Sequence, residues 1–178
     1  MGSGTGGIPL CGAWQRYKDL IRADFAINPR WDARMTLAIW RMGQVLHRQP
    51  GVGPFLLRRL SRLADIVWNR AFIGALLPPH VQVGPGIRLP HCGRGVVLHH
   101  TVRLGAGVTL YHQVTIGVRD DRSAAVVGDD VEIGAGAKIL GPVHLGDGCR
   151  VGANAVVLEV VPAGATCVGV PAQVCARR

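Results

Sequence analysis

Large aromatic rings are scarce in this chain: tryptophan, tyrosine and phenylalanine together make up 5 % of it. A core of stacked rings is therefore excluded. With 25 glycines and 48 % hydrophobic residues, the interior must be built from small and β-branched side chains at close packing. No apolar run is long enough to span a bilayer, and no secretory apolar segment is present. No Cys-x-x-Cys pair occurs among the five cysteines, and Cys149 and Cys167 fall where small apolar residues are wanted, so both read as buried thiols. A reducing cytoplasm is the expected compartment. Acidic residues are also few in the first half. Residues 1–78 hold 11 Lys/Arg against 4 Asp/Glu, a net of +7, whereas residues 79–178 hold 9 against 7, a net of +2. No basic block of five or six occurs, because the arginines are spread through apolar helical patterns. That distribution fits a solvated helix face with long-range attraction for an anionic substrate, rather than a nucleic-acid or membrane partner.

Two periods divide what is there. After "GSGTGG", which reads with its neighbours as a flexible tail over 1–16, residues 17–78 carry apolar residues three and four apart, the spacing of amphipathic helices. "HRQPGVGP" (47–54) interrupts the pattern, and "LLPPH" (76–80) ends it. A cap of about three helices is expected. From 79 to 175 the period is six. Aliphatic residues recur at Val83, Leu89, Leu98, Leu104, Leu110, Ile116, Val127, Ile133, Ile139, Leu145, Val151, Val157 and Ala163, often followed by glycine. Thirteen such hexads are the signature of a parallel β-helix, in which each hexad makes one short strand and one turn and three strands close a triangular coil. The period slips twice. Leu89 to Leu98 takes nine residues, three more than six, beside His91; Ile116 to Val127 takes eleven, so a loop over 117–126 must leave the coil.

Hexads of this form, with "VGPGIRLPH" (83–91), "VTLYHQVTIG" (108–117), "VEIGAGAKILGPVHLGDGCRVGANAVVLEVVP" (131–162) and "GVPA" (169–172), resemble the hexapeptide-repeat acyltransferases, nearest to the serine O-acetyltransferases and their short relatives. The resemblance covers 79–175 and continues faintly through "RADFAINP" and "WRMGQ" in the helices. It implies a mainly β fold, a left-handed parallel β-helix behind a small α-helical cap, assembled as a homotrimer with active sites in clefts between subunits. It implies acetyl-CoA as co-substrate and transfer to a hydroxyl. His91, beside the first slip, takes the place of the family's general base. An alcohol attacks a thioester poorly unless a base removes its proton during attack, and histidine titrates in the useful range. The implied acceptor contacts are Asn28, Pro90, His112, Arg119 and Arg122; the implied coenzyme contacts are Gly117, Val118, Ala135, Arg150, Gly169 and Arg177.

The match departs from the family where free serine is read. Pro90 stands where an aspartate precedes the catalytic histidine, and Leu76 stands fifteen residues earlier where a second aspartate orients the imidazole. Ser123 replaces a loop histidine, and Asn28-Pro29 replaces an Asp-Pro pair in the cap. The acceptor is thus left open between serine, a serine-like unit and a sugar hydroxyl. No metal is expected: β-helix carbonic anhydrases place two zinc histidines five apart, and five beyond His112 stands Gly117. The family's sulfhydrylase partnership needs a terminal isoleucine, and "VCARR" offers none, so that partner is not expected. The short cap implies a single trimer. The competing reading is a non-catalytic trimeric scaffold that binds another protein.

Overall fold

In the computed structural model, residues 10–47, 49, 52–120 and 123–175 are described. Three helices come first: α1 (Leu10–Ile27), α2 (Trp31–His47) and α3 (Val52–Ala64), the last running on as π-helical turns over Asp65–Phe72. The tail expected over 1–16 is shorter than that, because residues 10–16 already belong to α1; residues 1–9 lie outside the described ones. Ala13 is buried, and the Trp14 and Tyr17 rings meet edge-on at 5.9 Å, one turn apart on the helix. The helical pattern expected to reach Leu77 stops at Phe72. Ile73, Ala75 and Leu77 are buried while Gly74 and Leu76 are exposed, an alternation of period two that belongs to extended chain.

Strands β1 (Gln82–Val83) to β12 (Thr166–Val168) then wind around three parallel sheets. The first sheet is β1, β3 (Arg103–Leu104), β6 (Val126–Val127) and β9 (His144–Leu145); the second is β4 (Thr109–Leu110), β7 (Glu132–Ile133), β10 (Arg150–Val151) and β12; the third is β2 (Val97–Leu98), β5 (Thr115–Gly117), β8 (Lys138–Leu140) and β11 (Val156–Val157). Because β3, β4 and β5 fall in the first, second and third sheets, as do β6, β7 and β8, the chain forms a three-sided coil. Its repeat is legible in the register. Val97 pairs with Thr115, eighteen residues on, and Val126 with His144, also eighteen on. Gln82 pairs with Arg103, twenty-one on, and Arg103 with Val126, twenty-three on, so the two slips are absorbed as three and five extra residues in single coils.

One hexad is out of place. Ala163 is exposed at a corner, and Val151 pairs with Cys167, sixteen residues on. The last coil is two residues short, and Cys167 takes the inward strand position instead. Inside the coil Leu98, Leu110, Ile116, Ile133, Ile139 and Leu145 stack at 0–1 % exposure, each contributing about 1.5–3 kcal/mol of apolar burial.

Both ends of the stack are closed, which removes the hazard of free sheet edges. At the far end β13 (Gln173–Cys175) turns back antiparallel on β12. At the near end, side chains of the helices satisfy the backbone of the first coil. Arg41 donates to the carbonyls of Val83 (3.0 Å) and Gly84 (2.6 Å), Gln44 to that of Val81 (2.9 Å), and Trp40 to that of Pro78 (3.1 Å). Arg41 is itself paired with Asp24 at 2.7 Å, both fully buried, and Asp24 accepts the N–H groups of Gly86 and Ile87.

Candidate active site

The three extra residues of the first slip form a tight turn over Pro90–Gly93 between the second and third sheets. His91 (φ 59°), Cys92 (φ 56°) and Gly93 (φ 74°) are successively left-handed. Only glycine adopts that conformation without cost, so two side-chain-bearing residues in a row store strain of the kind found at functional sites. Cys92 is buried beneath the turn while the His91 imidazole is exposed. Burial pushes the Cys92 thiol up, which leaves it a poor nucleophile. Burial likewise pushes the Cys149 thiol up to about 11.

The next coil puts His112 at the same corner. The two imidazoles meet edge-to-face, with centroids 5.0 Å apart and planes at 84°. The His112 backbone is locked from both sides: Gly136 N–H donates to its carbonyl, Gln113 N–H donates to Arg94, and Lys138 Nζ reaches the Gln113 carbonyl at 2.8 Å. His112 Nδ1 is buried and has no hydrogen-bond partner among the described residues. With Nδ1 shielded, the ring can offer only its other nitrogen to a ligand. Ala135 lies one coil below at the same corner, where its carbonyl accepts from Asn154. Gly169 follows at the end of β12 and accepts from Val156. His91, His112, Ala135 and Gly169 therefore run down one edge of the coil.

Other expected site residues lie elsewhere. Gly117 ends β5 in the third sheet, and Val118 packs partly against the core as the chain departs toward the first sheet. The excursion is narrower than 117–126, since Gly117 and Val126 are strand residues. Its return is anchored by Ala124 N–H donating to Thr101 Oγ1 (3.1 Å), which also meets His99 Nδ1 at 2.9 Å. Arg119 is exposed there, 3.5 Å from Asp120. Arg150 stands on the open face of the second sheet, 3.8 Å from Glu132. Within one chain, then, Gly117, Val118 and Arg119 occupy a different corner from His91. Arg122 and Arg177 lie outside the described residues.

Asn28 requires a correction. Expected as an acceptor contact, it is 3 % exposed and its amide is committed to backbone. Its Nδ2 donates to the carbonyls of Asp24 (2.7 Å) and Ile87 (2.8 Å), and its Oδ1 accepts from Leu89 N–H (3.0 Å). It closes the end of α1 and fixes the strand that leads into Pro90 and His91. Pro90 opens that turn and is partly exposed beside His91. Sequence reasoning missed Asp24, Arg41 and Lys138. A charged pair on the helix faces otherwise carrying apolar residues was the available signal for the first two; Lys138 gave none.

Among the described residues no group of three or more metal-ligating side chains converges, and no helix is long and apolar enough to cross a membrane. The family model "Bacterial transferase hexapeptide (six repeats)" matches residues 124–159. A serine acetyltransferase of Helicobacter pylori (strain J99) is 34 % identical over 163 residues, covering 86 % of this chain and 91 % of that protein. Soybean serine acetyltransferase, solved in complex with serine, superposes with a TM-score of 0.72 at 29 % identity, over 92 % of this chain and 69 % of that one. A serine acetyltransferase solved with CoA gives 0.71 at 26 %, over 93 % and 70 %.

Proposed function

Because the chain belongs to the serine acetyltransferase family and is an acyltransferase, we propose that His91 acts as general base when an acceptor hydroxyl attacks the acetyl thioester of acetyl-CoA. The observation that supports this reading is the strained turn: three added residues hold an exposed imidazole out from a turn in which Leu89, Cys92 and Gly93 are buried. The base removes the hydroxyl proton as the oxygen attacks the carbonyl carbon, and CoA leaves as thiolate, taking a proton in turn. Attack is direct. A cysteine acyl-enzyme is disfavoured because the thiol nearest the site, Cys92, is buried with its ionisation suppressed.

The coil is left-handed and the active assembly a homotrimer. The separation of corners supports the trimer: a protomer's Gly117–Arg119 corner does not meet its own His91, whereas a neighbour packed alongside brings one corner of each into a shared cleft. Gly117, Val118, Ala135 and Gly169 offer backbone groups to the pantetheine amides there, and Arg150 is free on one side to meet a phosphate. The acceptor hydroxyl is that of serine, as the names of the relatives indicate, or of a serine-like or sugar unit, since Leu76, Pro90 and Ser123 replace the charged and imidazole groups that read free serine.

Release of CoA thiol from acetyl-CoA, followed across a panel of amino acids and sugars, tests the reading. One acceptor class should give turnover that His91→Ala lowers by about 10²–10⁴-fold with CoA binding retained. Absence of thiol release with every acceptor would instead favour the trimeric scaffold, and undiminished turnover in His91→Ala would remove the base.

A further inference from the structure

Residues 52–72 hold four arginines against one acid, Asp65, a net of +3 out of the +7 carried by the first 78 residues. The acetyl-transfer chemistry proposed above makes no use of them. Arg58, Arg59 and Arg62 fall on one side of α3, although like charges four residues apart repel by about 0.2–0.5 kcal/mol. Together with Arg70 from the π-helical turns, they line a groove of about 600 Å³ between α2, α3 and the extended chain at 77–80. Its floor is apolar and fixed. Trp40 and Leu77 are buried there, Pro78 and Pro79 are half-buried, and the Trp40 indole N–H donates to the Pro78 carbonyl at 3.1 Å. The His47 and His80 rings, with centroids 4.0 Å apart, add imidazole nitrogens to the lining.

Three of the four cations are held in place, yet their charge is scarcely matched. Arg58 Nη1 donates to the Gln49 carbonyl at 2.5 Å, Arg59 lies over the Phe55 ring at 5.1 Å, and Arg70 meets Asp65 at 2.9 Å. Asp65 also accepts from Asn69, and among the described residues no carboxylate pairs with Arg58, Arg59 or Arg62. A hollow with four guanidiniums and one engaged carboxylate lacks negative charge, and each fork of N–H donors suits the oxygens of a phosphate. We propose that this groove binds a nucleotide-sized polyphosphate anion, with Arg59 and Arg62 meeting its phosphates beside the positioned Arg58 and Arg70. The volume falls within the ~300–1,000 Å³ of small-molecule sites, and the apolar floor accepts the organic part of the ligand. A polyphosphate sets several charges on neighbouring oxygens, as clustered guanidiniums require, whereas a single carboxylate leaves most of them unpaired. Guanidiniums already held in position lose less freedom when the anion arrives.

Titration calorimetry of the full chain with ATP as the probe, and no acceptor present, tests this apart from catalysis. ATP should bind at one site per chain and be released at ~1 M salt, where screening shortens to about 3 Å. Arg59→Gln combined with Arg62→Gln should weaken binding about tenfold or more, with melting temperature, assembly mass and KM for acetyl-CoA unchanged. Arg62→Gln alone, at a guanidinium with no partner among the described residues, should weaken it by a smaller factor. Arg150→Gln, on the open face of the second sheet, should leave ATP affinity unaltered; a loss there would place the nucleotide in the coenzyme cleft and overturn the proposal. No ATP binding, full affinity in the double arginine variant, or citrate bound as tightly as ATP would each overturn it too.

Discussion

Two corners of the same coil obey different rules. Where the first sheet passes to the second, Gly84, Gly105, Gly128 and Gly146 stand above one another, and the backbones are in contact. A Cβ on Gly84 would lie 2.6 Å from Ala106 N, and one on Gly105 would lie 2.6 Å from the Gly128 carbonyl carbon. Asp129 and Asp147 brace the column by accepting the N–H groups of Ala106 (2.7 Å) and Asp129 (2.8 Å). Where the second sheet passes to the third, glycine keeps its place only in the lower coils, as at Gly134 and Gly152. In the upper two coils the corner is His91 with its added residues and then Tyr111-His112-Gln113. One corner is shaped by contact between coils and admits nothing larger than hydrogen. The other gives up its glycine and gains two imidazoles, His91 exposed and His112 partly buried against it. Departure from the repeat is what sets the proposed site apart from the other corner.

That contrast is breakable in both directions. The largest effect is expected at the histidine corner: His91→Asn, which keeps a residue suited to the left-handed backbone, should lower turnover about 10²–10⁴-fold while thermal melting stays put. Gly105→Val should do the opposite. Its branched side chain must displace backbone of the coil below, so it should cost several kcal/mol, about 3 or more, visible in urea unfolding before any kinetic assay. If Gly105→Val folds normally and His91→Asn melts early, the division of labour between the corners is wrong.

The junction with the helices comes next. Arg41→Met leaves the Asp24 carboxylate buried without its cation and should destabilise by about 3–5 kcal/mol, whereas Asp24→Leu added to it should recover part of the loss. A smaller change is expected from His112→Ala, which removes the ring packed on His91. An aromatic contact worth about 0.5–1.5 kcal/mol corresponds to a loss of turnover of about tenfold or less, read in kcat with CoA affinity unaltered.

The smallest effect belongs to Asp32, at the start of α2. The side-chain hydrogen bond from Arg30 holds its carboxyl below the usual aspartate range, overcoming a partial burial that pulls the other way. A depressed carboxyl contributes stability above its unfolded pKa and loses it as pH falls through the folded one. Asp32→Asn should therefore melt slightly earlier than the parent at neutral pH, and the two curves should converge as acid protonates the parent. A constant gap at all pH values would assign the effect to packing instead.

The coil was legible because its grammar is local. Each inward residue needs only its counterparts one coil above and below, so a period of six written in Leu98, Leu104, Leu110 and Ile116 was enough to specify strands, turns and inward faces. The slips at 89–98 and 116–127 carried their three and five extra residues straight into the register. The Ala163 position misled because the last coil shortens where β13 closes the stack, an end effect the repeat cannot announce. Asn28 misled for a different reason: a polar residue read as contacting an acceptor was needed by the backbone of Ile87 and Leu89, some sixty positions away.

A six-residue coil, the lengths of its two interruptions and an imidazole beside the first of them were readable along the chain, because all of these are set by near neighbours. That His112 stands against His91, that Asp24 and Arg41 close the first coil, and that Leu56, Leu60 and Leu63 of α3 are exposed became visible only in three dimensions. Those outcomes depend on where distant segments meet and on which polar groups must be satisfied there, and no spacing along the chain encodes that.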